Sequence, residues 1–256
     1  AQTVVDNAFN TITDLFSAEN TLFIPKEDRT YYLTSGGAVT TLVEDQITEL
    51  NSTSGKNIWY WHGKLYIPCG SQALLECDGD GANPVWRNPA NYCTNLSDFV
   101  GQVFGGVGDS QWNYIAIDNS TKVEILVGRQ ETIDNSTSWR WHPYQEITLA
   151  GVEAMWISTV YQKRLWIAST SSGDNLYYIP LPTGYGNMTG DANRNFATGG
   201  YFITPYLHGG FKADTKGLIK VVATLGHSYD ANIYFECYYK ALGDTSWTSM
   251  GNLKGS

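Results

Sequence analysis

Lys64-Leu65-Tyr66-Ile67 and Ala73-Leu74-Leu75-Glu76-Cys77 flank the turn Pro68-Cys69-Gly70-Ser71-Gln72. An aromatic-aliphatic strand, a Gly/Ser turn and a second apolar strand make a β-hairpin pattern. The same shape recurs three times. Thr30-Tyr31-Tyr32-Leu33 and Ala38-Val39-Thr40-Thr41-Leu42-Val43 flank Thr34-Ser35-Gly36-Gly37. Tyr114-Ile115-Ala116-Ile117 and Lys122-Val123-Glu124-Ile125-Leu126-Val127 flank Asp118-Asn119-Ser120-Thr121. Arg164-Leu165-Trp166-Ile167-Ala168 precedes a Ser/Thr/Gly/Asp turn and Asn175-Leu176-Tyr177-Tyr178-Ile179-Pro180. Taking Leu33, Ile67, Ile117 and Ile167 as equivalent, the separations are 34, 50 and 50.

A repeat of ~40–50 residues built on an antiparallel hairpin is the signature of propeller blades. A single small sheet cannot bury both faces, whereas neighbours stacked against it can. A meander within a β-sandwich is the alternative for the same hairpins, and the regular spacing favours blades. Between the third and fourth hairpins, Trp139-Arg140-Trp141-His142-Pro143-Tyr144-Gln145-Glu146-Ile147 fits an outer strand reached after a polar loop. One helix is expected, over Val4–Phe16, where Val5, Ala8, Phe9, Ile12 and Phe16 recur at helical spacing.

The pattern changes near Leu181-Pro182-Thr183-Gly184. A Gly/Asn/Asp-rich stretch over 184–195 reads as a linker or long loop. Longer strands are expected over Gly200–Leu207, Lys216–Leu225 and Ala231–Leu242. The last alternates, with Ile233, Phe235, Cys237 and Tyr239 on one face. The expected fold class is therefore all-β: propeller-like blades over 1–183, then the opening strands of an incomplete β-sandwich over 196–256. The first residues carry neither an initiator Met nor a secretory leader, so the chain is expected to be a piece of a longer one.

Composition narrows the function classes. Sixteen Lys+Arg against 25 Asp+Glu give a net charge of −9, with no basic stripe for a phosphate backbone, so no nucleic-acid partner is expected. Aromatics reach 14%, too high for a disordered chain. No apolar run approaches the ~18 residues of a membrane span. The four cysteines, Cys69, Cys77, Cys93 and Cys237, stand at no metal spacing. One disulfide among the first three, or four thiols, both fit.

Two tryptophan pairs are the leading binding candidates. Trp59 and Trp61, and Trp139 and Trp141, each fall on one face of a strand. Exposed, they would stack on sugar rings or a receptor, with the indole N–H as a polar handle. The plainer reading makes them core between blades. Asp78, Asp80 and Asn83, in Asp78-Gly79-Asp80-Gly81-Ala82-Asn83, offer hard oxygen ligands suited to Ca²⁺. The twelfth position of such a loop is Pro89, where a calcium loop needs a carboxylate, so a tight turn explains the residues as well. His62, His142, His208 and His227 form no zinc spacing, and neither Gly-x-Ser-x-Gly nor a phosphate loop occurs. The expectation is no catalytic residue and no cofactor.

Gly151-Val152-Glu153-Ala154-Met155-Trp156 leads into Gln162-Lys163-Arg164-Leu165-Trp166-Ile167 and Leu176-Tyr177-Tyr178-Ile179-Pro180-Leu181-Pro182. Phe196-Ala197-Thr198-Gly199-Gly200-Tyr201-Phe202-Ile203-Thr204-Pro205-Tyr206 and Lys216-Gly217-Leu218 follow, and then the segment from Ile233 to Trp247. In that order, over about residues 110–250, they resemble the propeller-then-sandwich proteins of tailed bacteriophages. The resemblance implies a non-enzymatic virion tail or tail-tip component. It would work in a homo-oligomer beside other virion proteins and contact a host-surface glycan or receptor. The alternative is a secreted carbohydrate-binding or glycan-processing propeller.

Overall fold

The computed structural model describes residues 5, 9–43, 50–79, 81–92, 98–148, 151–169, 175–182, 200–204, 207, 220–222 and 234–253. The chain divides into two compact units, Ala1–Asn187 and Met188–Ser256. The division falls within the Gly/Asn-rich stretch.

The first unit is a series of antiparallel meanders. The first sheet holds β1 (Phe16–Ala18), β2 (Thr21–Pro25), β3 (Thr30–Leu33) and β4 (Val39–Thr41) in chain order. The second holds β5 (Trp59–Trp61), β6 (Lys64–Cys69), β7 (Ala73–Cys77) and β8 (Ala82–Arg87). The third holds β9 (Gln102–Gly108), β10 (Asn113–Asp118), β11 (Val123–Ile133) and β12 (Ser136–Ile147). The fourth, in the described residues, holds β13 (Val152–Ser158), β14 (Arg164–Ser169) and β15 (Asn175–Pro180). Up-and-down antiparallel sheets follow one another along the chain, three of them four-stranded, and the fold is all-β. All four hairpins expected from the sequence are present, and Trp139–Ile147 lies in the outermost strand of the third sheet.

Two-residue turns set the register where no Asn-Gly signal stands. Glu19-Asn20, His62-Gly63 and Asp134-Asn135 each have positive φ at both residues. They join Ala18 to Thr21, Trp61 to Lys64 and Ile133 to Ser136. Positive φ at both central residues is the type I′ geometry, whose twist matches that of the flanking strands.

The topology also corrects the repeat frame. The hairpins at Ile67, Ile117 and Ile167 are the second and third strands of their sheets, but Leu33 lies in a third strand. The second strand of the first sheet is Thr21-Leu22-Phe23-Ile24-Pro25, which matches Lys64-Leu65-Tyr66-Ile67-Pro68 residue by residue. The equivalent positions are thus Ile24, Ile67, Ile117 and Ile167, with separations of 43, 50 and 50. All four are buried, each stabilising the fold by roughly 1.5–3 kcal/mol through removal of its side chain from water.

The expected N-terminal helix is absent among the described residues. Ile12 bridges Lys26, the Thr13 N–H donates to the Pro25 carbonyl, and Phe16 begins β1. A segment rich in Thr, Asn and Asp has weak helical preference, and pairing along β2 overrides its periodicity.

In the second unit, β16 (Phe235–Tyr239) pairs antiparallel with β17 (Thr248–Leu253). Both faces of β16 are largely exposed, not half-buried as its alternation suggested. Of the other two expected strands, residues 200–204, Leu207 and residues 220–222 are described and form no strand, and the rest lie outside the described residues.

Candidate functional site

The two tryptophan pairs, distant in sequence, meet where the second sheet packs on the third. Trp59 and Trp61 come from β5, and Trp139 and Trp141 from β12. Trp61 and Trp139 lie 6.0 Å apart, ring centre to ring centre. Trp139 stacks on Trp141 at 5.0 Å and 11°, and Trp59 on Tyr66 at 5.4 Å and 13°. Tyr66 meets Trp139 edge to face at 5.9 Å. His62, exposed in its turn, stacks on Trp61 at 4.1 Å. Trp59 is buried with Tyr66, Leu74 and Trp86 against Val103, Ile115, Ile117 and Leu126 of the third sheet. Trp61, Trp139 and Trp141 are half-buried.

The indole N–H groups of Trp59, Trp61, Trp139 and Trp141 each have an acceptor in a facing segment. Trp59 donates to Asn113 Oδ1 at 3.1 Å, Trp141 to the Val85 carbonyl at 2.7 Å, and Trp61 to the Asp109 carbonyl. Trp139 donates to Glu76 Oε2 at 3.0 Å. These tryptophans therefore offer a ligand ring faces and edges, while their polar handles hold the sheets together.

Glu76 is the polar centre. Its carboxylate is 5% exposed and lies in an otherwise apolar strand. Oε1 accepts from Lys64 and, at 3.4 Å, from Gln130; Oε2 accepts from Tyr66 at 2.9 Å and from Trp139. Burial, and then the Glu76 charge, push the Tyr66 phenol well above its usual range, so it stays a donor. A buried carboxylate is tolerable only with such a set of partners.

Three glycines make the seam fit. A Cβ on Gly106 would lie 2.4 Å from the Trp59 ring, one on Gly108 2.0 Å from the Trp61 ring, and one on Gly128 2.3 Å from the Trp141 ring. No local pattern in the tryptophan segments encodes this complementarity.

A second charged cluster ties the end of the third sheet. Lys122 Nζ is 2.8 Å from carboxylate oxygens of Asp98, Glu124 and Glu146. Glu124 is fully buried and accepts from the Phe99 N–H at 2.6 Å. The three carboxylates are close enough to ligate one cation, but the ammonium already lies among them. Burial disfavours its charge, yet the three carboxylates outweigh that and carry Lys122 above the usual lysine range.

Asp78 lies exposed in the short loop joining β7 to β8, and Asn83 is an exposed residue of β8 opposite Glu76. Asp80 lies outside the described residues. A hairpin connection accounts for this loop, and Pro89 begins a short 3-10 turn capped by the Asn88 side chain. Cys69 and Cys77 are buried in the core between the first and second sheets, where burial pushes the Cys77 thiol up to about 12. Cys237 is a half-exposed free thiol, and Cys93 lies outside the described residues.

Fold and seam together make an all-β protein of successive antiparallel sheets with aromatic and ionic cross-links between them. No family model, curated protein or solved structure matches the chain. No helix among the described residues is long and apolar enough to cross a membrane.

Proposed function

We propose that the chain is a non-enzymatic structural component of a tailed-phage virion, a tail or tail-tip module that acts among other virion proteins and contacts the host surface. The reading rests on the residue-level resemblance given above. The structural observation that supports it is the seam around Glu76. There four tryptophans, Tyr66 and a buried carboxylate of two sheets are engaged with each other, as suits a rigid, protease-resistant module. The low charge and the abundance of Tyr, Trp, Ser, Thr and Asn suit broad adhesive interfaces. Sedimentation tests it. Source material is fractionated on a density gradient and the chain located by mass spectrometry of its peptides. Co-migration with particles that hold DNA is expected. Recovery only as a free species of one to a few chains would overturn the reading.

One observation keeps the carbohydrate-binding alternative in play. Trp61, Trp139 and Trp141 are only half-buried, so ring surface remains for a sugar. Binding of simple sugars that is lost on Trp61→Ala or Trp141→Ala, with the fold retained, would favour it.

A further inference from the structure

Each sheet of the first unit uses its two faces differently. On one face, Leu65 and Ile67 of the second sheet pack toward the first sheet. Likewise Ile115 and Ile117 of the third pack toward the second, and Leu165 and Ile167 of the fourth toward the third. The opposite face carries Phe23, Tyr66, Ala116 and Trp166 at the equivalent position. The sheet that follows covers the first three: Phe23 packs on the second sheet's core, and Tyr66 and Ala116 are buried.

The fourth sheet breaks the series. Register aligns Trp156, Trp166 and Tyr178 in one cross-strand row, the counterpart of Trp59, Tyr66 and Glu76 in the second sheet. That second-sheet row lies under the third sheet. In the fourth, Trp156 is 70% exposed, Tyr178 50%, and Leu176 beside them 63%. None of the three belongs to a core cluster of the described residues. Arg164, the counterpart of Lys64, lays its guanidinium 4.4 Å over the Tyr178 ring. At the other end of the unit, Leu22, Leu33 and Val39 form a cross-strand row on the face of the first sheet turned away from the second. All three are half-exposed, and Leu22 is the repeat counterpart of Leu65 and Leu165.

We infer that the Trp156–Trp166–Tyr178 face is the docking surface for a second copy of this chain, whose Leu22–Leu33–Val39 row continues the stack. The contact would repeat the aliphatic-on-aromatic chemistry of the internal seams. It is head-to-tail, with different surfaces on the two partners, and closes into a ring where the rotation permits. The surface also suits a dimer in size. Aromatic side chains bury roughly 150–250 Å² each, so two such seams in a closed pair reach the ~1,200–2,000 Å² of stable interfaces. The inference rests on the packing of the sheets and is independent of the virion reading.

Sedimentation velocity on the full chain tests it, with wild type compared with Trp156→Glu, Leu22→Glu and the control Tyr161→Glu. Tyr161 is fully exposed in the turn between β13 and β14. Wild type and control are expected to self-associate at concentrations up to about 100 µM. Trp156→Glu and Leu22→Glu should each weaken association at least about tenfold, and an equimolar mixture of the two should associate more tightly than either variant alone, because only the mixed pair has one intact seam. Circular dichroism checks the fold, and Leu176→Glu replaces any variant that unfolds. A monomeric wild type overturns the inference, as does association unchanged in both variants. A monomer destabilised by Trp156→Glu assigns the face to another segment of the same chain. A monomer with unchanged stability that binds a saccharide through Trp156 assigns it to a glycan. Either result also overturns the second copy.

Discussion

Trp139 donates its indole N–H to Glu76 at 3.0 Å across the boundary between the second and third sheets. The pair joins the outermost strand of one meander to the third strand of its neighbour, at a carboxylate that also accepts from Lys64, Tyr66 and Gln130. Trp139→Phe keeps most of the ring packing and removes one donor, which is expected to cost about 1–3 kcal/mol in urea denaturation. Glu76→Ala removes the acceptor of all four donors and leaves Lys64 without its carboxylate, at an expected cost of about 3–5 kcal/mol. A double-mutant cycle between the two sites should show strong coupling, because both changes remove the same bond. Additive effects would mean that the contact does not hold the sheets together.

The glycines facing the tryptophans make a separate prediction. Gly128→Ala would place a methyl group 2.3 Å from the Trp141 ring, and Gly108→Ala one 2.0 Å from the Trp61 ring. Each is expected to destabilise the protein by about 1–3 kcal/mol through overpacking, although alanine is ordinarily better tolerated in a strand than glycine. Gly79→Ala provides no such steric control because its φ is +105°. The better comparison is Gly81→Ala, where a Cβ meets nothing within 4 Å. Trp141→Leu should relieve part of the cost of Gly128→Ala, and thermal unfolding of the four combinations measures that relief.

The hairpins were legible because aliphatic-aromatic runs bounded by Gly, Ser and Asn leave little else for the chain to form. The frame of the first repeat was not, because the Glu19-Asn20 turn before Thr21 has no glycine to announce its positive φ. The alternation of Trp59 with Trp61, and of Trp139 with Trp141, placed each pair on one face. Their meeting depends on how two sheets stack, which no local pattern carries. Two signals did stand in the sequence. Glu76 interrupts the apolar run Ala73-Leu74-Leu75, and a carboxylate there requires donors from elsewhere. Gly106, Gly108 and Gly128 occupy strand positions where glycine often marks close approach by another group.

Lys122 provides a test by charge and pH. Lys122→Met keeps much of the side-chain volume and leaves Asp98, Glu124 and Glu146 facing one another, so it should destabilise the fold by about 3–5 kcal/mol at neutral pH. Added Ca²⁺ should restore part of that loss in the variant and do little to the wild type, whose ammonium already lies among the carboxylates. The folded-state pKa of Lys122 lies above its ordinary value. Its contribution is therefore fully present below the unfolded value of about 10.4 and declines as pH rises through the higher folded value. The stability difference between wild type and variant should stay level from pH 7 to about 10 and narrow above it. A difference that narrows on the acid side of neutrality instead would show that the carboxylates, not the ammonium, set the pH dependence.

Thiol chemistry tests the core between the first and second sheets. Burial, and then the nearby charges of Cys69, Asp78 and Glu76, push Cys77 up to about 12, so almost none of it is thiolate at pH 8. The reactive species is the thiolate, and the thiol is also enclosed by Leu65, Ile67 and Leu75. Cys237 is half-exposed in the β16–β17 hairpin. In the Cys69→Ser, Cys93→Ser background, an aromatic disulfide reagent at pH 8 should label one cysteine quickly, and peptide mapping should locate it at Cys237. Cys77 should react only as fast as the first unit opens, with a rate that rises with urea in step with unfolding. Comparable labelling of Cys77 and Cys237 in native buffer would mean that this core admits solvent, and that the second sheet does not pack against the first as Phe16, Phe23 and Leu42 indicate.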